Sequence, residues 1–173
     1  DSSLEIIKEL CQKNSNFKYI YQKNQGPARA RNSGLSTAKG SYIAFLDGDD
    51  FLEPTFLEEL YKNAIKHNAD IVCCNFNFYN PKKELKTNNL FHSQAKIYSK
   101  TQALKKLLLD IEIHYFVWNK LYKKELFLDN NISFESMYFE DISISPKLFY
   151  YANTIVVIDY TLYNYTNRET SIL

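Results

Sequence analysis

Glycine is scarce in this chain of 173 residues, and it is confined: Gly26, Gly34, Gly40 and Gly48 are the only four. Glycine serves where the backbone takes unusual dihedrals or a ligand comes close, so residues 24–50 draw attention first. Gly40 reads as an ordinary helix-end glycine. Cysteine is sparse too: Cys11, Cys73 and Cys74 are an odd set with two adjacent, which excludes a disulfide framework. No Cys/His spacing suits zinc, and a reducing, cytosolic compartment is the simplest reading. The three histidines are scattered and read as ordinary residues. Charge of one sign is missing: 21 Lys+Arg stand against 20 Asp+Glu, which argues against nucleic acid as a partner. No apolar run approaches the roughly 20 residues of a membrane span. The first residues do not read as a charged-then-apolar leader. With no repeat, low-complexity tract or linker, residues 1–173 read as a single domain. Aromatics are plentiful, with 14 Tyr and 12 Phe, so a substantial core is expected and wholesale disorder is excluded.

Strands alternate with helices along the chain. Leu4, Ile7 and Leu10 mark a helix over 2–13. Phe17-Lys18-Tyr19-Ile20-Tyr21 alternates like a strand. Pro27 opens a helix that reaches about Ala38, and Tyr42–Leu46 is a continuous apolar run that suits a buried strand. Pro54 begins a helix with Leu57, Leu60, Tyr61, Ala64 and Ile65 on one stripe. Ile71–Tyr79 reads as a strand, residues 80–96 as a loop or weak hairpin, and Ser99/Gln102 as a capping box before a helix. Short helices follow at Lys123–Phe127 and at 140–152, the latter bent or interrupted by Pro146. Thr154–Ile158 is the last strand, and the stretch from Tyr160 to Leu173 reads as a lid. The alternation implies an α/β sandwich with a mainly parallel sheet.

Four constellations could carry chemistry. Asp47-Gly48-Asp49-Asp50 follows the buried strand, where open α/β sheets bind ligands. Crowded carboxylates there favour a hard divalent cation, Mn²⁺ or Mg²⁺, which would also bridge a diphosphate. The plainer alternative is a solvated turn with Asp50 capping the next helix. Arg29 and Arg31 lie in the first turns of the Pro27 helix, suited to phosphate or a base carbonyl, although Arg29 reads as a surface charge. Glu140-Asp141 beside Tyr138 and Phe139 could supply a base with a raised pKa, or simply favour a helix start. Trp118-Asn119-Lys120-Leu121-Tyr122 offers a ring for sugar stacking and polar groups for hydroxyls, or else a core tryptophan.

Taken in order, these stretches resemble the family-2 glycosyltransferases of the GT-A fold. They are Gly26–Gly34 with Ala30-Arg31-Asn32, Ser41–Asp50 with its Asp-x-Asp, Trp118–Tyr122, Glu140-Asp141, and Tyr163-x-Tyr165-x-x-Arg168-x-x-Ser171. The resemblance implies a three-layer α/β/α sandwich and inverting transfer from a nucleotide-sugar donor, UDP-linked, to a saccharide or lipid-linked acceptor. It implies Asp49 on Mn²⁺ or Mg²⁺, Asp47 at the ribose or donor sugar, and Arg31 near the nucleotide base. It further implies Arg168 near the diphosphate, Asp141 as general base with Glu140 assisting, and Trp118 and Asn119 at the acceptor. Bacterial surface polysaccharide or lipooligosaccharide synthesis is implied, in the cytoplasm and open to peripheral association with the inner face of the membrane. The family's first strand, helix and second strand have no counterpart before Asp1, so this half of the nucleotide site is expected to be missing here. Two other readings stand beside it: a non-catalytic nucleotide-sugar-binding or interaction module of the same fold, and an α/β interaction domain whose acidic motifs are caps.

Overall fold

The computed structural model describes residues 2–80 and 94–167. In chain order the elements are α1 (Ser3–Lys13), α2 (Pro27–Thr37), β1 (Tyr42–Ala44), β2 (Phe51–Leu52), α3 (Phe56–His67) and β3 (Ile71–Tyr79). These are followed by β4 (Lys96–Ser99), α4 (Lys100–Leu108), β5 (Lys120–Lys123), α5 (Glu125–Leu128), α6 (Glu140–Tyr151) and β6 (Thr154–Thr166). The strands form one sheet in the order β1-β5-β3-β6-β2, with β4 also paired to β6.

The sheet is mixed. Among the described residues only β3–β6 is a parallel pair; β1–β5, β3–β5, β2–β6 and β4–β6 are antiparallel. This corrects the mainly parallel expectation, and the reason lies in three short strands. β1, β3 and β6, the strands legible as apolar runs, all point the same way. Every antiparallel pairing involves β2, β4 or β5, which have two to four residues each and no apolar run to announce them. A register shift between Cys73 and Phe76 adds residues to β6 and bends the long β3–β6 ladder.

Both faces of the sheet are covered. Ile71 and Cys73 of β3, with Ile155 and Val157 of β6, pack under α2, α4, α5 and α6. The alternate residues Val72, Cys74, Val156 and Ile158 pack under Phe56, Leu60 and Ala64 of α3. This is the period-two division of a strand buried on both sides. Pro27 and Ser99 act as expected. Pro27 occupies the first position of α2 after Gly26, whose φ of 84° only glycine takes readily, and the Ser99 N–H donates to Gln102 Oε1 at 3.0 Å.

Some elements differ from expectation. Residues 17–21 join no strand, because alternation stabilises a strand only where a neighbour pairs with it; Phe17, Tyr19, Ile20 and Tyr21 are exposed. α1 forms, but none of its residues is buried. α6 runs through Pro146, which sits beyond its first turn. The final strand is longer than expected. Tyr160–Thr166 belongs to β6, bonded to β3 and β2, so this part of the expected lid is sheet. Residues 168–173 of the expected lid, with Arg168, and most of the expected loop at 80–96 lie outside the described residues.

Candidate functional site

The chain leaves β1 through Phe45, whose ring packs edge-on against Phe127 and Phe134, and turns at Asp47–Asp50. The Asp50 N–H closes the turn on the Asp47 carbonyl at 3.1 Å. Asp50 is not a helix cap. Its carboxylate accepts the Tyr163 hydroxyl at 2.6 Å and the Thr166 N–H at 2.8 Å, fastening the turn to β6. The same hydroxyl accepts the Asp47 N–H at 3.3 Å. Burial, with Asp50 as its hydrogen-bond acceptor, pushes the Tyr163 pKa up, so the ring stays a neutral clamp. Burial also raises Asp50.

Arg31, in the second turn of α2, gathers the acidic motifs. Its guanidinium donates to Asp47 Oδ1 at 2.7 Å, to Glu140, and to Asp141 Oδ1 at 3.4 Å. It lies 5.5 Å from the centre of the Phe134 ring. The next residue holds Phe134 still: Asn32 donates to the Phe134 carbonyl at 2.8 Å and accepts its N–H at 2.9 Å. Burial works against the arginine's charge, but Asp47, Asp141 and Glu140 outweigh it and raise its pKa. Arg31 therefore spans the strand-end turn and the α6 carboxylates.

Asp141 is the perturbed acid. Burial pushes its pKa up to about 6, against the pull of Arg31 and with the neighbouring Glu140 adding to the rise. Its other oxygen accepts the Val117 N–H at 3.4 Å. Neither Glu140 nor Asp141 caps α6; the residue before them, Phe139, is left-handed at φ 58°. The Val117 backbone is held from behind by Lys120. This fully buried ammonium donates to the carbonyls of His114 and Phe116 and to Asn119 Oδ1, and burial lowers its pKa. Ser145 of α6 also donates to the Tyr115 carbonyl.

Trp118 and Asn119 are placed otherwise than expected. Trp118 is 3% exposed, stacked on Tyr163 and Phe116 at 4.3 and 4.7 Å, so no ring face is open to a sugar. Asn119 is buried and spends its amide on the Cys74 carbonyl at 2.8 Å. Both support the site from the core. Sequence reasoning missed the roles of Tyr163 and Lys120, whose partners lie on other elements.

Beside Arg31 and Asp47 a cleft of about 630 Å³ opens between α2 and β1, reaching Pro27, Gly34 and Gly48. Among the described residues no three His, Cys, Asp or Glu side chains converge as an all-protein metal site. Asp49 is exposed in the turn. One carboxylate completed by diphosphate and water oxygens is a donor set that suits Mg²⁺ or Mn²⁺.

Residues 1–129 match the family model for Glycosyl transferase family 2, and the chain belongs to that family. It is 37% identical to the cholesterol galactosyltransferase of Borreliella burgdorferi over 98% of this chain and 49% of that protein. It is 29% identical to glycosyltransferase GlyA of Streptococcus pneumoniae over 99% of this chain and 25% of that protein. The crystal structure of S. aureus TarS in complex with UDP-GlcNAc superposes with a TM-score of 0.75 at 25% identity, covering 99% of this chain and 48% of that one. The architecture is thus that of the GT-A glycosyltransferases. The chain spans about half the length of the first of these relatives. Among the described residues no helix is long and apolar enough to cross a membrane.

Proposed function

We propose that this chain carries the catalytic groups of an inverting, metal-dependent glycosyltransferase. It would move a sugar from a UDP-linked donor to a hydroxyl of a saccharide or lipid-linked acceptor, in bacterial surface polysaccharide or lipooligosaccharide synthesis at the cytoplasmic face of the membrane. The observation that carries this reading is the Arg31 bridge, which sets the strand-end carboxylate Asp47 and the half-buried Asp141 around one guanidinium. The UDP-GlcNAc and UDP complexes of TarS support the choice of donor.

In this reading the cleft beside Arg31 receives the nucleotide, and Asp47 meets the ribose or the sugar. Asp49 would hold Mn²⁺ or Mg²⁺ against the diphosphate, where the cation offsets charge on the leaving group. Asp141 takes the proton of the acceptor hydroxyl as the oxygen bonds to the anomeric carbon and the carbon–oxygen bond to the diphosphate breaks. A carboxyl with a pKa of about 6 is a stronger base than an ordinary aspartate and is still ionised at neutral pH. Glu140 keeps Arg31 in place, and Val117 aims the Asp141 carboxylate. Release of UDP in the presence of acceptor tests the reading. Metal-dependent UDP binding without turnover, in the full-length enzyme offered a range of acceptors, would mark a binding module instead.

A further inference from the structure

One hydroxyl holds both ends of the Asp47–Asp50 turn. Tyr163 donates to Asp50 Oδ2 at 2.6 Å and accepts the Asp47 N–H at 3.3 Å. Asp50 Oδ1 takes the Thr166 N–H at 2.8 Å, so both oxygens of that carboxylate are bound to β6. Directly after the turn, Phe51 and Leu52 pair with Asn164 and Tyr163, and the buried Asn164 amide donates to Glu53 at 2.8 Å. Arg31 holds Asp47 from the other side at 2.7 Å. The hydroxyl can fix the turn only if its ring is itself fixed. Tyr163 is fully buried, stacked on Trp118 at 4.3 Å, with Phe56 edge-on at 6.3 Å. Trp118 rests in turn on Phe116 at 4.7 Å.

A link from β1 to β2 does not require these bonds, because a solvated polar turn makes such a connection. Half-burying a carboxylate and placing a phenol oxygen in the core both cost free energy that the hydrogen bonds offset. The arrangement achieves something geometric instead. Residues 47 and 50 are pinned to neighbouring elements, and Asp49 between them is exposed.

Resting on the glycosyltransferase reading, we propose that Tyr163 is a positioning residue for the donor. With Asp50 in front of it and Trp118 behind it, it sets the backbone of the turn so that the Asp49 carboxylate meets a cation on the diphosphate. Trp118, expected at the acceptor, then acts on the donor side and through another ring. A turn fixed before the cation arrives carries no ordering cost at the moment of binding, so the clamp is read out as metal-dependent donor affinity.

Tyr163→Phe keeps the ring and its stacking and removes only the hydroxyl. The test is titration calorimetry of UDP on the full-length enzyme, with and without Mn²⁺. The gain in UDP affinity that Mn²⁺ brings should fall roughly tenfold, the size of one hydrogen bond to a charged group, while metal-free UDP affinity stays put. With turnover, donor KM should rise by the same factor at constant kcat and constant acceptor KM. Asp50→Asn, which keeps one acceptor oxygen, should lose less than Asp50→Ala. Tyr163→Phe added to Asp50→Ala should cost little more than Asp50→Ala alone, because both remove the same bond. Leu60→Ala opens the core that holds Tyr163 without removing either hydrogen bond. It should be the least stable variant in denaturant melts and yet keep the wild-type Mn²⁺ dependence. The proposal is overturned if Tyr163→Phe keeps the full Mn²⁺ dependence. It is equally overturned if Leu60→Ala loses as much, since the clamp would then serve stability alone. Absence of Mn²⁺-dependent UDP binding in the wild type would sink the metal-dependent reading and the positioning with it. Wild-type binding that Tyr163→Phe leaves unchanged would sink the positioning only.

Discussion

Replacing Asp141 by Asn should make the protein more stable and less active. Asn keeps the shape of the carboxyl and removes its charge. The folded protein holds Asp141 at about 6, while an ordinary aspartate lies at 3.8. A folded pKa above the unfolded one means that the native state binds the proton more tightly. Stability contributed by this group is therefore fullest below pH 3.8, falls as pH rises through the window from 3.8 to 6, and is flat above it. The charged form at pH 7 costs the fold about 3 kcal/mol, an upper figure because the side chain keeps some contact with water. Arg31 retains Asp47 and Glu140 in the variant, so its own burial stays compensated. The expected result is a variant more stable than wild type by up to about 3 kcal/mol at pH 7 to 8, or roughly 6–12 °C in Tm for a chain of this size. The gap should narrow towards pH 4 and close below pH 3.8, where wild-type Asp141 becomes neutral in both states.

Urea melts from pH 4 to 8 in EDTA measure this directly. Activity should move the opposite way, with kcat lower by about 10² to 10⁴ and donor affinity little changed, since general-base assistance is of that size. A variant less stable than wild type at pH 8, or a stability gap that ignores pH, would refute the argument that burial of this carboxylate is tolerated for its chemistry.

Removing the cation tests the same balance from the other side: Arg31→Met should raise the Asp141 pKa further and move the acid limb of the kcat profile to higher pH. Asp49→Ala should abolish the Mn²⁺ dependence of UDP binding with the fold intact, as titration calorimetry would show; unchanged dependence removes Asp49 from the metal site. Trp118→Ala should cost about 3–5 kcal/mol in denaturant melts, as for other large-to-small core changes, with no selective rise in acceptor KM. Lys120→Met should leave the His114 and Phe116 carbonyls without their buried donor and destabilise by roughly 2–4 kcal/mol, lowering kcat through the loosened Val117 contact to Asp141.

What was legible in the sequence was local. Pro27 starts α2, Ser99 and Gln102 frame α4, and the apolar runs at 42, 71 and 154 give the three co-directional strands, because each signal lies within a few residues of its effect. The carboxylates at 47, 49, 140 and 141 stood out by type and by position after a strand or before a helix. What was not legible was pairing. β2, β4 and β5 exist because β6, β3 and β1 offer them edges. Asp50 looked like a cap and is instead fastened to Tyr163 and Thr166 on β6. Trp118 beside Asn119 and Lys120 looked like a sugar platform because its neighbours are polar. Those polar groups turn inward, Lys120 onto the carbonyls of the preceding loop.

The same pairing bears on the proposed need of the donor for a cation. Asp47, Glu140 and Asp141 share the Arg31 guanidinium, and Asp49 lies in the same turn as Asp47. A diphosphate entering beside Asp47 would bring further negative charge to a turn that already carries Asp47, Asp49 and Asp50. Coulomb repulsion between such groups at a few ångströms costs several kcal/mol at the effective dielectric of a protein surface. A divalent ion held by Asp49 would offset that charge, whereas releasing Arg31 to the phosphates would leave Asp47, Glu140 and Asp141 facing one another uncompensated. On the proposed function, Arg31 would organise the protein's own carboxylates, and neutralising the donor would fall to a metal.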